Sequence, residues 1–248
     1  MSGALSSEAL SGSLLSMTWR DLLFAHWPVA PEVVASGLPE GVAVDTHDGD
    51  AYLGVVPFVM ADIGPRGLPV GLSFGELNLR TCVIVDGDPR VYFFTLDADD
   101  RVGVRLARSL FRLPYYRAEM EVRTSGSGRD REVRFGSRRT SADAPPAAFD
   151  ATYGPDGSFS VPDPGSEVAF LTERYRFYTT DDDGRVYHGD IDHEPWSLAP
   201  GRAEIRENGP FEANGFKEPG SKPLLQFTAP IAVTADRVRR GSSYDTAY

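Results

Sequence analysis

The strand–turn–strand pattern of residues 74–96 is the sequence feature that most constrains the fold. Apolar and polar residues alternate from Phe74 to Val85, which is the spacing of a β-strand with two unlike faces. The four residues Asp86-Gly87-Asp88-Pro89 then predict a turn, and a second strand is expected from Arg90 to Leu96. This is the clearest hairpin in the sequence, and it favours antiparallel pairing.

Other parts of the chain show the same strand and turn signals. Asp48-Gly49 predicts a turn before another strand, and Pro57 is expected to end that strand or to place it at a sheet edge. Residues Glu167 to Thr179 are also predicted to be a strand. Strands that follow one another through turns predict a mainly β (α+β) fold, an antiparallel curved sheet or barrel with a few short helices.

The domain prediction follows from the same reading. Residues 17–234 are expected to form one domain, because no linker or repeat divides them. Residues 1–16 are rich in Ser and Gly and are predicted to be a flexible leader, and the polar residues 235–248 are predicted to be a flexible tail.

A proline separates helical from strand spacing near the middle of the chain. Val102, Leu106 and Leu110 lie on one stripe of a predicted helix, which Pro114 is expected to end. From residue 115 the period is two, so alternate residues face opposite sides of a strand. The two tyrosines that follow the proline, Tyr115 and Tyr116, therefore stand at a rigid junction where a site could be built.

Composition and charge exclude several function classes. The formal net charge of −11 argues against nucleic acid and against an anionic membrane as partners. Cys82 is the single cysteine, so neither a disulfide framework nor a Cys-based zinc site is expected. The sequence contains no long apolar run and no signal-peptide pattern, so the expected location is the cytoplasm. Motifs of nucleotide-binding loops, serine hydrolases and zinc peptidases are also missing from the sequence, and we predict no metal and no cofactor.

Seven separated motifs resemble one protein family in their order and spacing. They are FAHWPV (24–29), DGDAYLGVVPF (48–58), FGELNLRTCV (74–83), VYFFTLDA (91–98), RLPYYRAEM (112–120), LTERYRFYT (171–179) and HEPWSL (193–198). Together they resemble the YqjF-like branch of the acetoacetate-decarboxylase-like proteins over roughly residues 17–233. The resemblance implies a single β-rich domain with a central cavity, and it implies no assigned activity.

The resemblance also shows where this chain departs from the decarboxylases. In those enzymes two lysines follow the proline, and the first forms a Schiff base with the keto acid. Tyr115 and Tyr116 occupy these positions here, and a phenol cannot form an imine. The resemblance does imply an active-site glutamate in the strand that contains Glu76.

Three polar residues on one face of that strand are the candidate ligand-binding group. Alternation places Glu76, Asn78 and Arg80 together, so Arg80 could bind a carboxylate and Glu76 could act as acid or base. We predict Glu76, Tyr115 and Tyr116 as catalytic residues, and Asn78, Arg80 and Arg117 as substrate-binding residues. The alternatives are a solvated strand face and two tyrosines that only fill a core. An arginine such as Arg80 or Arg117 is also expected to pair with Glu173.

Two functions remain open at this point. The first is a small-molecule-binding protein, an enzyme in one version, that acts on a small organic acid or carbonyl compound without Schiff-base chemistry. The second is a non-catalytic ligand-binding or assembly protein that retains the decarboxylase-like fold. A small-molecule ligand is the expected partner, neither nucleic acid nor a membrane is expected, and a homo-oligomer stays open.

Overall fold

The computed structural model describes residues 15–65, 71–99, 113–142, 144–180, 186–236 and 238–240. Strands dominate these residues, and most strands pair antiparallel. Their bounds are β1 Leu15–Arg20, β2 Leu23–Val29, β3 Ala43–Val44, β4 Ala51–Pro65, β5 Leu72–Val85, β6 Asp88–Ala98, β7 Tyr115–Ser125, β8 Glu132–Arg139, β9 Ala148–Pro155, β10 Arg176–Thr180, β11 Val186–Asp192, β12 Leu198–Asn208, β13 Leu224–Thr228, β14 Ile231–Ala235 and β15 Arg239–Arg240.

The helices of the described residues are short. They are α1 (Pro31–Ala35), α2 (Glu167–Thr172), α3 (Pro210–Ala213) and one 3₁₀ turn (Gly128–Asp130). None of the helices in the described ranges is long and apolar enough to span a membrane. The predicted mainly β fold with a curved sheet and few short helices is therefore confirmed.

The strands close into two circuits that share β4, β5 and β6. The first circuit runs β1–β14–β11–β10–β6–β5–β4 and returns to β1. The second runs β6–β7–β8–β9–β12–β13–β2–β4–β5 and returns to β6. Because side chains alternate along a strand, the shared strands contribute one face to each circuit.

Each circuit encloses its own apolar cluster. On β4, Leu53 and Val55 pack inside the second circuit, whereas Val56 and Phe58 pack inside the first. The second cluster is filled by side chains such as Phe135. The first cluster surrounds a cavity, and this difference places the candidate site.

The predicted hairpin is confirmed at its turn. Asp86 and Gly87 have φ angles of 54° and 80°, as a tight two-residue turn between twisted strands requires. The register pairs Val85 with Asp88 and continues to Glu76 opposite Ala98. Glycine tolerates a positive φ without steric cost, and aspartate tolerates it better than most residues.

Pro57 lies within β4, so the expectation that it would end its strand or mark an edge was wrong. One neighbour of β4 changes at this point. Pairing with β2 ends at Val55, and pairing with β1 begins at Val59. The missing N–H of Pro57 therefore falls between two partners, where the strand can continue to Pro65.

The predicted strand from Glu167 to Thr179 was wrong over its first half. Residues 167–172 form α2, and β10 begins only at Arg176. The Ser166 hydroxyl accepts a hydrogen bond from the Ala169 N–H and so caps the helix.

Two pairings, β6 with β7 and β6 with β10, are parallel. The sixteen residues between Ala98 and Tyr115 supply the long crossover that a parallel pair needs.

Several predictions on the termini and the central helix concern residues outside the described ranges. The predicted helix over 102–112 lies outside them, as do residues 1–14 of the predicted leader and 241–248 of the predicted tail. Within the described ranges, Leu15 and Ser16 already belong to β1, and Arg239–Arg240 pair with β11. Strands β1 and β15 therefore include described residues outside the predicted range 17–234.

Candidate functional site

One face of β5 lines a cavity inside the first circuit. The alternate residues of this face point into the same space, and they are Leu72, Phe74, Glu76, Asn78 and Arg80. Glu76 and Asn78 are buried, with exposed fractions of 3% and 4%. The polar face predicted from the sequence therefore faces an interior cavity, and the alternative of a solvated face does not apply.

The cavity has a volume of about 440 Å³ and a largely apolar lining. This size lies within the range of small-molecule sites in proteins. The lining residues from strands other than β5 are mostly aromatic or aliphatic, and they include Met17, Trp19, Phe24, Val56, Phe58, Met60, Phe93, Leu96, Tyr115, Phe177, Ile191 and Trp196.

Glu76, Tyr115 and Asn78 form the polar cluster of this cavity. The Tyr115 hydroxyl donates a hydrogen bond of 2.7 Å to Glu76 Oε2. The Asn78 Nδ2 group donates to Glu76 Oε1 at 3.4 Å. Tyr115 reaches the cluster because it is the first residue of β7, paired in parallel with Leu96 of β6. Asn78 Oδ1 is buried and has no hydrogen-bond partner among the described residues.

Burial controls the protonation of the Glu76–Tyr115 pair. Removal of Glu76 from water raises its pKa from 4.5 to about 7, although the hydrogen bonds from Tyr115 and Asn78 favour the charged form. The pKa of Tyr115 is raised well above its usual value by burial and by the neighbouring Glu76 charge. The phenol therefore stays protonated near neutral pH, while the carboxyl group exists in both forms. A carboxyl group with such a pKa can act as acid or base.

Arg80 is held at the other end of the polar row. Its Nη2 group donates to the Leu171 carbonyl of α2 at 3.0 Å and contacts His26 Nε2 at 3.3 Å. Its guanidinium carbon lies 4.7 Å from the centre of the Phe24 ring. Burial lowers the pKa of His26, which can therefore accept this hydrogen bond as a neutral imidazole. Burial also lowers the pKa of Arg80 to about 10, so Arg80 remains charged at neutral pH.

Arg80 differs from the other arginines of the cavity wall in its ion pairs. Arg174 binds Asp45 at 2.7 Å, and Arg176 binds carboxylates of β6 and β11 at 2.9 and 2.8 Å. In the part of the chain that the structure describes, no carboxylate lies within 4.0 Å of the Arg80 guanidinium. Arg80 is half-buried, and a ligand carboxylate could supply the counter-ion that the described residues do not provide.

The structure does not bring Tyr116 and Arg117 to the cavity. Successive side chains of a strand point in opposite directions, so Tyr116 faces away from Tyr115. The Tyr116 ring packs under the Arg139 guanidinium at 4.5 Å, and Arg139 is ion-paired with Asp97. Arg117 lies farther along β7 and is not part of the cavity lining. Of the six predicted site residues, the structure thus assembles Glu76, Asn78, Arg80 and Tyr115 around one cavity.

The predicted pairing of Glu173 with an arginine was wrong. Glu173 Oε1 accepts the backbone N–H of Trp196 at 3.0 Å, and Oε2 accepts the hydroxyl of Tyr175. Uncharged donors satisfy the hydrogen-bonding capacity of this carboxylate, because α2 ends beside Trp196 rather than continuing as a strand. Among the described residues, Glu173 therefore makes no ion pair with Arg80, which lines the cavity.

The candidate site contains no lysine and no cluster suited to a metal. Lys217 and Lys222 are the two lysines of the chain, and both are exposed and are not among the residues that line the cavity. A search of the described residues finds no group of three or more His, Cys, Asp or Glu side chains that could hold a metal ion.

Sequence reasoning missed two residues that shape the site. His26 is not part of the cavity lining, but it contacts Arg80 and helps to fix the position of that side chain. Trp196 lines the cavity, and its ring packs edge-on against Phe24 at 5.2 Å. The available signal was the position of the two residues in the motifs FAHWPV and HEPWSL. Spacing along the chain could not predict the contacts that these two residues make.

Comparisons with known proteins identify the family and the fold. Residues 16–232 match the DUF2071 family, which is described as an uncharacterized conserved protein. The chain is 40% identical over 217 residues to a Bacillus subtilis (strain 168) protein described as uncharacterized protein YqjF, and the match covers 86% of this chain and 87% of that protein.

Solved structures with the same fold have much lower identity. The enduracididine biosynthesis enzyme MppR complexed with pyruvate has a TM-score of 0.65 at 15% identity, and the match covers 98% of this chain and 96% of that one. An acetoacetate decarboxylase from Legionella pneumophila has a TM-score of 0.60 at 12% identity, and the match covers 94% and 89% of the two chains. The predicted resemblance is therefore confirmed. The chain belongs to the DUF2071 family and has the fold of acetoacetate-decarboxylase-like proteins.

Proposed function

We propose that this protein binds a small organic acid or carbonyl compound in the cavity and moves a proton on it through Glu76, without an imine intermediate. The observation that carries this proposal is the Glu76–Tyr115 hydrogen bond of 2.7 Å at the wall of an apolar cavity. Burial raises the pKa of this carboxyl group to about 7, which suits proton transfer near neutral pH.

Arg80 supports an acid as the ligand. Its side chain is half-buried, and no carboxylate of the described residues lies within 4.0 Å of its guanidinium. A ligand carboxylate at the guanidinium would form charge-assisted hydrogen bonds, and the contacts to Leu171 and His26 already fix the position of the side chain. Asn78 Oδ1 has no partner among the described residues, so it can accept a hydrogen bond from a hydroxyl group of a ligand.

The proposed step is proton abstraction next to a carbonyl group. The Glu76 carboxylate takes a proton from the carbon beside the ligand's carbonyl, and the electron pair of that C–H bond moves into an enolate. The positive charge of Arg80 stabilises the negative charge that develops. Return of the proton from Glu76 to carbon regenerates the carbonyl compound, so the step needs no other reactant.

The structural neighbours are consistent with this ligand class. One of them is an enzyme complexed with pyruvate, and another is an acetoacetate decarboxylase, so related folds accommodate small organic acids. Identities of 12–15% establish the shared fold alone. The absence of a lysine from this cavity separates the proposed chemistry from imine formation.

Deuterium exchange tests the proposal. Pyruvate is incubated with the protein in heavy water, and loss of the methyl proton signal is followed by NMR. We expect the protein to accelerate exchange and the Glu76→Gln variant to abolish the acceleration. Glu119→Gln, which removes an exposed carboxylate from β7, is the matched control and should exchange as the parent does.

Two outcomes contradict parts of the proposal. Binding of pyruvate without exchange in the parent protein would favour the alternative, a non-catalytic ligand-binding protein. Borohydride reduction that leaves a covalent adduct on Lys217 or Lys222 would refute the claim that no imine forms.

A further inference from the structure

We propose that the ligand of this site is an amphipathic oxo acid with an extended apolar substituent, larger than pyruvate or acetoacetate. This inference rests on the proposed function and specifies its substrate class. It follows from the shape and the chemistry of the cavity wall around the polar row.

The cavity is too large for a short oxo acid. At about 30 Å³ per water-sized group, 440 Å³ accommodates about 15 non-hydrogen atoms. Acetoacetate has about seven non-hydrogen atoms and would fill about half of this space. An apolar volume left unfilled contributes no binding energy, so a ligand that fills it gains affinity from the additional contacts.

The cavity is also elongated along β5. Its lining includes every second residue from Leu72 to Arg80, which is eight residue steps along the strand. An extended antiparallel strand rises about 3.4 Å per residue, so this row reaches up to about 27 Å. A space lined over this length fits a chain-like or arylalkyl substituent better than a compact one.

Polar and apolar groups are segregated along this row. Asn78 and Arg80 lie toward one end of the row, whereas Leu72 at the other end is 44% exposed. The wall around the row carries aromatic and aliphatic side chains, among them Trp19, Phe58, Met60, Phe93, Phe177 and Ile191. The ligand carboxylate therefore binds Arg80, its carbonyl group lies by Asn78 and Glu76, and its substituent extends toward Leu72.

A homologous series of ligands tests this inference. Straight-chain 2-oxo acids from pyruvate to 2-oxododecanoate, together with 2-oxo-4-phenylbutanoate, are titrated against the full chain by calorimetry. Each methylene group that enters an apolar site is expected to lower Kd by about fourfold, until the ligand reaches about 15 non-hydrogen atoms. The heat-capacity change of binding should become more negative along the series.

A substitution that reduces the cavity supplies the control. Met60→Trp places a larger ring in the cavity wall, so the gain in affinity should stop at a shorter ligand than in the parent chain. Val33→Trp adds the same ring at a position that is 40% exposed on α1 and outside the cavity, and it should not alter the series. A circular dichroism spectrum and a urea midpoint close to those of the parent show that the Met60 variant is folded, and Ile191→Trp replaces it if it is not.

The outcomes separate this inference from the proposed function. Equal Kd values for pyruvate and the long acids would overturn the substrate class and leave the proposed function standing. Failure of every acid in the series to bind would overturn both. A fall in Kd with length that stops at the same ligand in the parent and in the folded cavity variant would also overturn the inference, because the substituent would then lie elsewhere.

Discussion

Replacement of Glu76 by glutamine has a calculable effect on stability. Burial raises the pKa of Glu76 from 4.5 to about 7, so the folded chain keeps this proton over a pH range in which the unfolded chain has lost it. The stabilisation of the folded chain by the proton on Glu76 is therefore fully present below about pH 4.5 and is lost as the pH rises through about 7. At about 1.4 kcal/mol per pKa unit, the difference between 4.5 and about 7 corresponds to about 3 kcal/mol.

Glutamine at this position cannot ionise and should not show this loss. The free energy of unfolding of Glu76→Gln, relative to the parent chain, should rise by about 3 kcal/mol between about pH 4.5 and pH 8. The assay is urea denaturation followed by tryptophan fluorescence at closely spaced pH values. Other titrating groups cancel in the difference between the two proteins, and Glu119→Gln should give a difference that does not change with pH. A flat difference for Glu76→Gln would refute a carboxyl pKa raised by burial.

Three further predictions concern Tyr115, Arg80 and Gly54. Tyr115→Phe removes a hydrogen bond that favours the charged form of Glu76, so the pH midpoint of the Glu76 effect should move upward in the same denaturation assay. A downward shift of this midpoint would contradict the assigned hydrogen bond. Arg80→Met should weaken pyruvate binding, measured by calorimetry, by about tenfold to a hundredfold, and the affinity for an uncharged ketone should stay the same. Equal losses of affinity for both ligands would exclude carboxylate binding at this residue. Gly54→Ala adds a carbon only 2.6 Å from a ring carbon of His26 and should lower the free energy of unfolding by about 1–3 kcal/mol. The control Gly220→Ala adds a carbon in open space and should change the denaturation midpoint little.

Local patterns predicted the part of the site that belongs to one strand. The alternation in β5 placed Glu76, Asn78 and Arg80 on a common face, and the structure shows that face to be a cavity wall. The turn at Asp86-Gly87 was predictable because few residues accept a positive φ. Pro114 and Tyr115 marked the point where β7 begins, and the family resemblance directed attention to it.

Contacts between distant segments could not be predicted in the same way. The contact of His26 with Arg80 joins residues 54 positions apart, and it depends on how β2, β4 and β5 are ordered in the sheet. Tyr115 reaches Glu76 because β7 pairs in parallel with β6, which turn signals alone do not indicate.

Helix α2 shows a different limit. Its six residues are too few for helical periodicity to be distinguished from strand alternation. The useful signal was the cap, Ser166 after Gly165, and it was weaker than the strand-like composition around Tyr175 and Phe177. The error propagated to Glu173, whose partners are set by the end of the helix.

The protonation of Glu76 in the cavity is the central physical claim, and carboxyl NMR measures it most directly. The chain is isotope-labelled at the glutamate carboxyl carbons and titrated with acid and base. One resonance should titrate with a midpoint at about pH 7 and be missing from Glu76→Gln. If the resonance lost in that variant titrates near 4.5, Glu76 is a solvated carboxylate, and both its acid–base role and the dry polar cluster are contradicted.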